Sequence, residues 1–376
     1  MKRTLRHDQT LFREIDVFDR TYLPLHLYHR DAQVEELAFL ISPALQGGTS
    51  MNGILRGPPG TGKTTTIRSV FAELAEETER ILPVYVNCRQ DHTVPAVYRR
   101  IFEEIFGYAP LGGWYLEDIR DKIAARLRDR NARLLVCFDD ANYLVAEKTY
   151  NLLLYQLLRL YERWDGVRGA GIFAVTSDLR LNLYAEADGA VRSVFHPHEI
   201  NFWPYTKAEI REILGDRVRQ GLYPRVMPKF VLDRIAGIAA DEQDIRVGID
   251  LIREATMRTE KDGRRRVTLD DVEGAALAAI APAIQARAEG LSAGERALLH
   301  RIAEQARDGI DMTSGTIFEA TCEYLPIAKS TYHEHLNQIA RVGIIDLVAG
   351  PGRGRERKIQ FRYDPEDVAS VCRHLD

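Results

Sequence analysis

Short apolar runs alternate with longer helical stretches along the first half of the chain. Residues 51–55, 82–88, 133–138, 170–177 and 199–203 are mainly apolar runs of strand length. The segments between them read as helical, notably 145–161, whose leucines and tyrosines fall on more than one face. A strand that is apolar on both faces is buried on both, and buried strands separated by helices build a parallel sheet covered on each side. The pattern thus predicts an α/β domain over residues 1–205.

The strand pattern then stops. Thr206 with Glu209, and Thr268 with Asp271, have capping-box spacing, and residues 206–288 read as a small all-helical lid domain. Ser292 with Glu295 opens a third domain, 289–376, with helices expected over 293–306, 313–324 and 330–342. Thr331 and Glu334 stand at capping-box spacing in the last of these. An apolar strand at 344–348, a turn at 350–354 and a strand at 358–363 follow, and in that last strand Ile359, Phe361 and Tyr363 alternate with polar residues. Three helices and a hairpin predict a winged helix. In its third helix Tyr332, Leu336 and Ile339 recur at core spacing, while His333, Asn337 and Arg341 fall on another face. Lys329, Ser330 and Thr331 at the head of that helix, His333, Asn337, and the wing residues Arg353, Arg355, Arg357 and Lys358 are the candidate DNA contacts.

Composition narrows this only a little. The chain has 376 residues, enough for two or three domains, and a formal net charge of −4. That charge argues against a uniformly basic nucleic-acid coat but leaves room for local patches, of which Arg264-Arg265-Arg266 and the wing cluster stand out. No apolar stretch reaches membrane-spanning length and residues 1–7 lack a signal peptide's apolar segment, so a cytoplasmic protein with no membrane partner is expected. The four cysteines are far apart, as buried free thiols would be. His333 and His335 diverge on a helix, and His196 and His198 read as part of a polar loop, so neither pair predicts a metal site.

The chemistry centres on residues 57–64, a complete GxxxxGK[ST] P-loop between an expected strand and an expected helix. Its glycines let backbone N–H groups face phosphates, and the helix N-terminus adds partial positive charge. Pro58, Pro59, Gly60, Thr61, Gly62, Lys63, Thr64 and Thr65 are the candidate nucleotide contacts. Lys63 neutralises phosphate oxygens and Thr64 ligates Mg²⁺ in this arrangement. The run ending in Asp139-Asp140 matches a Walker B strand, the first carboxylate serving the metal and the second the attacking water. Glutamate is commoner at the second position in hydrolases of this kind, so Asp140 predicts slow turnover. Thr176 and Ser177 read either as a polar sensor of the γ-phosphate or as a strand cap. Arg246, heading an amphipathic helix, reads as a lid arginine on the γ-phosphate or as an exposed helix-end residue; Arg192 reads as a finger toward a neighbouring protomer or as a solvated arginine.

Taken together, the chain resembles the archaeal replication-initiator family of AAA+ proteins, related to the eukaryotic origin recognition complex and its cell-division-cycle-six loader. The resemblance runs through Tyr22-Leu23-Pro24, His29-Arg30 and the helix after it, the P-loop, Val86-Asn87-Cys88-Arg89, the Walker B strand, Thr176-Ser177-Asp178-Leu179, Trp203-Pro204-Tyr205, the Arg246 helix and the basic wing. It implies an ATP-dependent initiator that binds origin duplex DNA, hydrolyses ATP slowly and helps recruit the replicative helicase, with other initiator protomers as further partners. By the same resemblance the adenine pocket would lie near residues 22–30, Tyr22, Leu23, Arg30 and Tyr205 would contact the ATP/ADP, Ser177 would be the first sensor, Arg192 the finger and Arg246 the second sensor. A DNA-contacting helical insertion would fall within residues 89–127. The departures are Asp140 for glutamate, Ser177 for asparagine and Gln243 for glycine. They weaken hydrolysis rather than binding, and they support the alternative of a nucleotide-locked winged-helix regulator with little or no ATPase activity.

Overall fold

The computed structural model describes residues 10–322, 324, 327–349 and 357–373. The chain forms two compact units, Met1–Thr256 with Gly263–Arg266, and Met257–Asp262 with Val267–Asp376.

The first unit begins with a 3-10 turn, Ile15–Phe18, and α1, Asp31–Leu45. There follow β1 (Asn52–Arg56), α2 (Lys63–Glu77), β2 (Ile81–Asn87), α3 (Val94–Phe106), α4 (Leu116–Asp129) and β3 (Arg133–Asp139). Next come α5 (Asn142–Ala146), α6 (Tyr150–Leu158), α7 (Leu160–Arg163), β4 (Gly171–Thr176), α8 (Gly189–Arg192) and β5 (Pro197–Asn201). The five strands are all parallel in the order β2-β3-β4-β1-β5. Alternate residues face opposite layers, as the period of a strand requires. Val84, Val86, Val136, Phe138 and Ile172 pack toward α3, α4 and α6, while Leu55, Leu135, Cys137, Phe173 and Val175 pack toward α1 and α2. This is the expected three-layer α/β arrangement.

Two expectations change here. The single helix read over 145–161 is three short helices: Lys148, with a left-handed φ of 59°, and Thr149, whose Oγ1 donates to the carbonyls of His92 and Leu144, make the first break, and Arg159, with φ −114° and ψ 32°, the second. The last strand lies at 197–201 rather than 199–203; Pro197 pairs with Asn52 at the sheet edge, where a missing N–H costs nothing. That shift puts His198 on a strand rather than in a loop.

Helices α9 (Lys207–Gly221), α10 (Lys229–Asp241) and α11 (Ile245–Lys261) follow. Thr206 and Glu209 form the expected capping box. Ile210, Leu214, Val231, Ile235, Leu251 and Ile252 are all buried in this helical part.

In the second unit α12 (Leu269–Ala288) and α13 (Ala293–Arg307) start at the predicted Thr268–Asp271 and Ser292–Glu295 boxes. They are followed by α14 (Ser314–Cys322), α15 (Lys329–Arg341), the antiparallel strands β6 (Ile345–Ala349) and β7 (Arg357–Phe361), and α16 (Pro365–Arg373), a helix the sequence pattern did not reveal. The helices and hairpin stand in winged-helix order. Ile284, Leu298, Ile302, Ile317, Tyr332, Leu336, Ile339, Ile345, Ile359 and Val368 form one core. The predicted Thr331–Glu334 cap does not form: α15 starts earlier, at Lys329 with Ala328 as N-cap, leaving Glu334 exposed in mid-helix. Among the described residues no helix is long and apolar enough to cross a membrane.

Candidate nucleotide site and nucleic-acid face

The P-loop joins β1 to α2 at the carboxyl end of the sheet. Gly60 and Gly62 have φ of 73° and 88°, a region L side chains avoid. Both are also tightly covered: a Cβ on Gly60 would fall 2.0 Å from Asp244 Oδ1, and one on Gly62 would fall 2.7 Å from the Tyr205 hydroxyl. Lys63, almost fully buried, donates from Nζ to the carbonyls of Gly57 and Pro58, each at 2.7 Å. Burial pushes its ammonium down to about 8, against the opposing pull of Asp139 and Asp140.

Asp139, at the end of β3, is the focus of a small hydrogen-bond group. Its Oδ2 accepts from Thr64 Oγ1 at 2.8 Å and from the Tyr85 hydroxyl at 2.6 Å, and its Oδ1 accepts from the Asp140 N–H at 3.1 Å. Burial raises the Tyr85 pKa, and the Asp139 charge adds to it, so this phenol stays a donor. Asp140 takes a φ of 55° and lines the cleft; burial and the Asp139 charge lift it above the usual carboxylate range. Thr176 and Ser177 are placed differently. Buried Thr176 accepts from the Asp178 N–H, while Ser177 lines the cleft.

The rest of the wall comes from the N-terminal segment and the helical part. Tyr22, Leu23 and Tyr205 line the cleft together with Pro59, Gly60, Thr61, Gly62, Lys63, Thr64 and Thr65. Ile213, Asp216 and Arg217 of α9 face them, as do Ile245, Arg246 and Ile249 of α11. Arg217, which sequence reasoning missed, stacks its guanidinium 4.4 Å from the Tyr22 ring and donates to the Val17 carbonyl. Tyr22 in turn donates to Gln220 at 2.7 Å. Arg246 donates from Nε and its backbone N–H to Asp244 Oδ1, both at 2.9 Å, so the lid arginine and the carboxylate resting on Gly60 form one unit.

Among the predicted residues, Arg30, Arg192 and Pro58, whose carbonyl accepts from Thr61 Oγ1 and Lys63 Nζ, stand outside the cleft lining. Arg30 is buried and does not line the cleft. It donates to the carbonyls of Thr61, His29 and Trp203 and stacks 3.7 Å from the Tyr205 ring, clamping the P-loop to the exit of β5. Arg192 is exposed on α8, outside the cleft, with its Nε on the Ala187 carbonyl. Tyr85 and Asp244 were also missed. Period-2 register with β3 marks Tyr85, since it pairs with Cys137 and so shares a face with Asp139 two residues on.

In the second unit α15 exposes Lys329, Ser330, Asn337 and Arg341, with Thr331 and His333 partly covered. Arg357 of β7 donates to Asn337 Oδ1 at 2.8 Å, tying strand to helix. Burial first, then the charges of Arg357 and Lys329, lowers the His333 pKa. Lys358 is exposed, whereas Arg362 is held by both oxygens of Asp346. Arg353 and Arg355 lie outside the described residues.

A P-loop, a Walker B carboxylate and a lid arginine around one cleft define a nucleotide-binding P-loop ATPase with a helical lid. The sequence matches the AAA ATPase domain over residues 26–168 and the Cdc6 AAA+ ATPase-type lid domain over residues 211–277. It is 39% identical over 370 residues to ORC1-type DNA replication protein 3 of Haloarcula marismortui, covering 97% of each chain. It is 35% identical over 369 residues to ORC1-type DNA replication protein 2 of Methanosarcina mazei, again covering 97% of each. The chain belongs to the family of ORC1-type DNA replication proteins, of the AAA+ origin-recognition and Cdc6 type. Among solved structures, Aeropyrum pernix ORC1 in complex with DNA superposes with a TM-score of 0.65 at 25% identity, covering 96% of this chain and 97% of that one. Aeropyrum pernix ORC2, in ADPNP and ADP complexes, superposes with a TM-score of 0.64 at 25% identity, covering 97% and 98%.

Proposed function

We propose that this protein is an ATP-switched initiator of DNA replication that binds origin duplex DNA, hydrolyses ATP slowly and helps bring the replicative helicase to the DNA. The observation that carries the reading is the Arg246–Asp244 pair resting on Gly60 of the P-loop. Nucleotide phosphates and the angle of the lid act through that one contact, so nucleotide state can set domain geometry. Family membership and the DNA-bound Aeropyrum pernix relative support DNA as the partner.

In this scheme Lys63 and the N-terminal N–H groups of α2 hold phosphate, and Tyr22, Leu23 and Tyr205 flank the base and sugar. Thr64 Oγ1 and Asp139 Oδ2, 2.8 Å apart, are hard oxygen donors suited to Mg²⁺, which they would share with phosphate and water oxygens. A metal ion held there would supply positive charge to offset that of the phosphates. Asp140 orients the attacking water but reaches less far than glutamate, and Ser177 and Arg246 read the γ-phosphate. Arg192, exposed on α8, serves a neighbouring protomer. Lys329, Ser330, Thr331, His333, Asn337, Arg357 and Lys358 contact DNA, and Arg353 and Arg355 of the same basic sequence cluster join them.

The test is anisotropy titration of duplex DNA flanking the gene and of a scrambled duplex, in ADP and in a slow ATP analogue, across a salt series. Tighter binding to the flanking duplex is expected. An Arg357→Ala/Lys358→Ala variant should keep nucleotide affinity and lose about two units of salt slope; if it binds DNA like the parent, the wing assignment fails. Asp140 and Ser177 favour a second reading, a nucleotide-locked regulator. Turnover indistinguishable from a Lys63→Ala control, and not raised by Asp140→Glu, would select it.

A further inference from the structure

The arginine run at 264–266 takes no part in the nucleotide cleft. Arg265 and Arg266 of this run, together with Arg225, form an exposed basic edge built from two loops of the first unit. Residues 223–226 lie between α9 and α10, and residues 263–266 between α11 and α12. The Val226 N–H donates to the Tyr223 carbonyl at 3.3 Å, closing a turn whose central residues are Pro224 and Arg225. Arg225 has a φ of 72°. A turn with proline second and positive φ third favours glycine at that third place. The chain puts an exposed arginine there instead, and a locally strained choice without a packing gain marks a functional position.

The two loops adjoin, since Arg266 Nε reaches the Arg225 carbonyl at 3.4 Å. Arg225, Arg265 and Arg266 are all exposed, and none has a carboxylate within ion-pair distance among the described residues. Several other arginines of this unit are ion-paired. Arg20 pairs with Asp250, Arg211 with Asp233, Arg219 with Asp216 and Arg253 with Asp19. In a chain of net charge −4, unpaired guanidinium groups on adjoining loops repel one another, and a bound polyanion relieves that repulsion.

We propose that these two loops are an additional contact for the phosphate backbone of duplex DNA, separate from the wing; the proposal rests on the DNA-binding function above. Tyr223, 50% exposed, is the one large apolar group of the two loops, so the edge lacks the apolar centre that a protein partner would fill. Guanidinium forks match phosphate oxygens in pairs, and contacts of this kind position a protein on the duplex without reading its sequence.

The experiment uses the full chain, a long mixed-sequence labelled duplex and anisotropy across a salt series, comparing the parent with Arg225→Gly and with Arg225→Gly/Arg265→Ala/Arg266→Ala. Each lost phosphate contact lowers the salt slope by about 0.9, so the triple variant should lose about two to three units of slope on flanking and scrambled duplexes alike. Nucleotide affinity should stay unchanged. Arg225→Gly should melt higher than the parent while binding DNA more weakly, a pairing that a purely structural role cannot produce. An unchanged slope in the triple variant, with the wing variant still impaired, overturns the proposal; loss of binding to an acidic protein partner alone assigns the edge to protein docking. If the parent binds no duplex at any salt, it is the underlying DNA-binding reading that fails.

Discussion

Burial holds the Lys63 ammonium down to about 8, against an ordinary value of 10.5, although Asp139 and Asp140 pull it upward. Phosphate favours the charged form, so nucleotide affinity should be full below about pH 8 and fall by up to about tenfold per unit above it. Stability of the nucleotide-free protein moves the other way. Below pH 8 the lysine is charged in both states and burial carries its whole cost; above it the folded state releases the proton first and that cost is relieved. Calorimetric titration of ADP at pH 7 and pH 9 checks the first part, and a flat profile would show that Lys63 does not set the affinity. Tyr85 makes a second prediction. Because its hydroxyl donates to Asp139 Oδ2 beside Thr64 Oγ1, Tyr85→Phe should raise the Mg²⁺ concentration needed for tight nucleotide binding by about tenfold, with little change in Mg²⁺-free affinity. At this scale motif spacing made Lys63, Thr64 and Asp139 legible. Tyr85 was hidden because a tyrosine in an apolar strand looks the same whether its hydroxyl meets solvent or a carboxylate.

Capping decides how the elements deliver these groups. Helix α10 ends in a Schellman pattern: the Gln243 N–H donates to the Ala240 carbonyl and the Asp244 N–H to the Ala239 carbonyl. Gln243 therefore occupies the left-handed C′ position, with φ 54°, where glycine is unstrained. This explains physically why a glycine is expected at that place in the family. The turn also aims Asp244 at Gly60 and starts α11 at Ile245. Gln243 is exposed and loses no packing, so Gln243→Gly should stabilise the protein by about 1 kcal/mol. Thermal melting checks this, and a lower melting temperature would mean that the glutamine side chain contributes something the backbone argument omits. The capping boxes at Thr206, Thr268 and Ser292 were readable because each couples two residues at fixed spacing. The Thr331–Glu334 spacing misled because the same pattern occurs inside a helix, and the break at Lys148 was invisible because its cause is a hydrogen bond from Thr149 to distant His92.

For the whole molecule, sheet order is the deciding fact. β4 lies between β1 and β3, so Ser177 at its end comes to the same cleft as the P-loop and Asp140. In sequence those three places are separated by whole helices. The N-terminal segment is held at the cleft by α9, through Arg217 and Gln220 on Tyr22 and through the Gly221 carbonyl, which accepts from the Arg13 and Glu14 N–H groups. Local periodicity and residues at fixed spacing made the α/β class, the P-loop, the acidic end of β3, most helix starts and the order of the C-terminal helices and hairpin readable along the chain. Packing settled the rest: Arg30 clamps backbone rather than lining the cleft, Asp244 joins Arg246 to Gly60, and Arg357 meets Asn337. Those are pairings between residues distant in the chain or set by a backbone turn, and periodicity carries no information about which side chains such packing brings within hydrogen-bond reach.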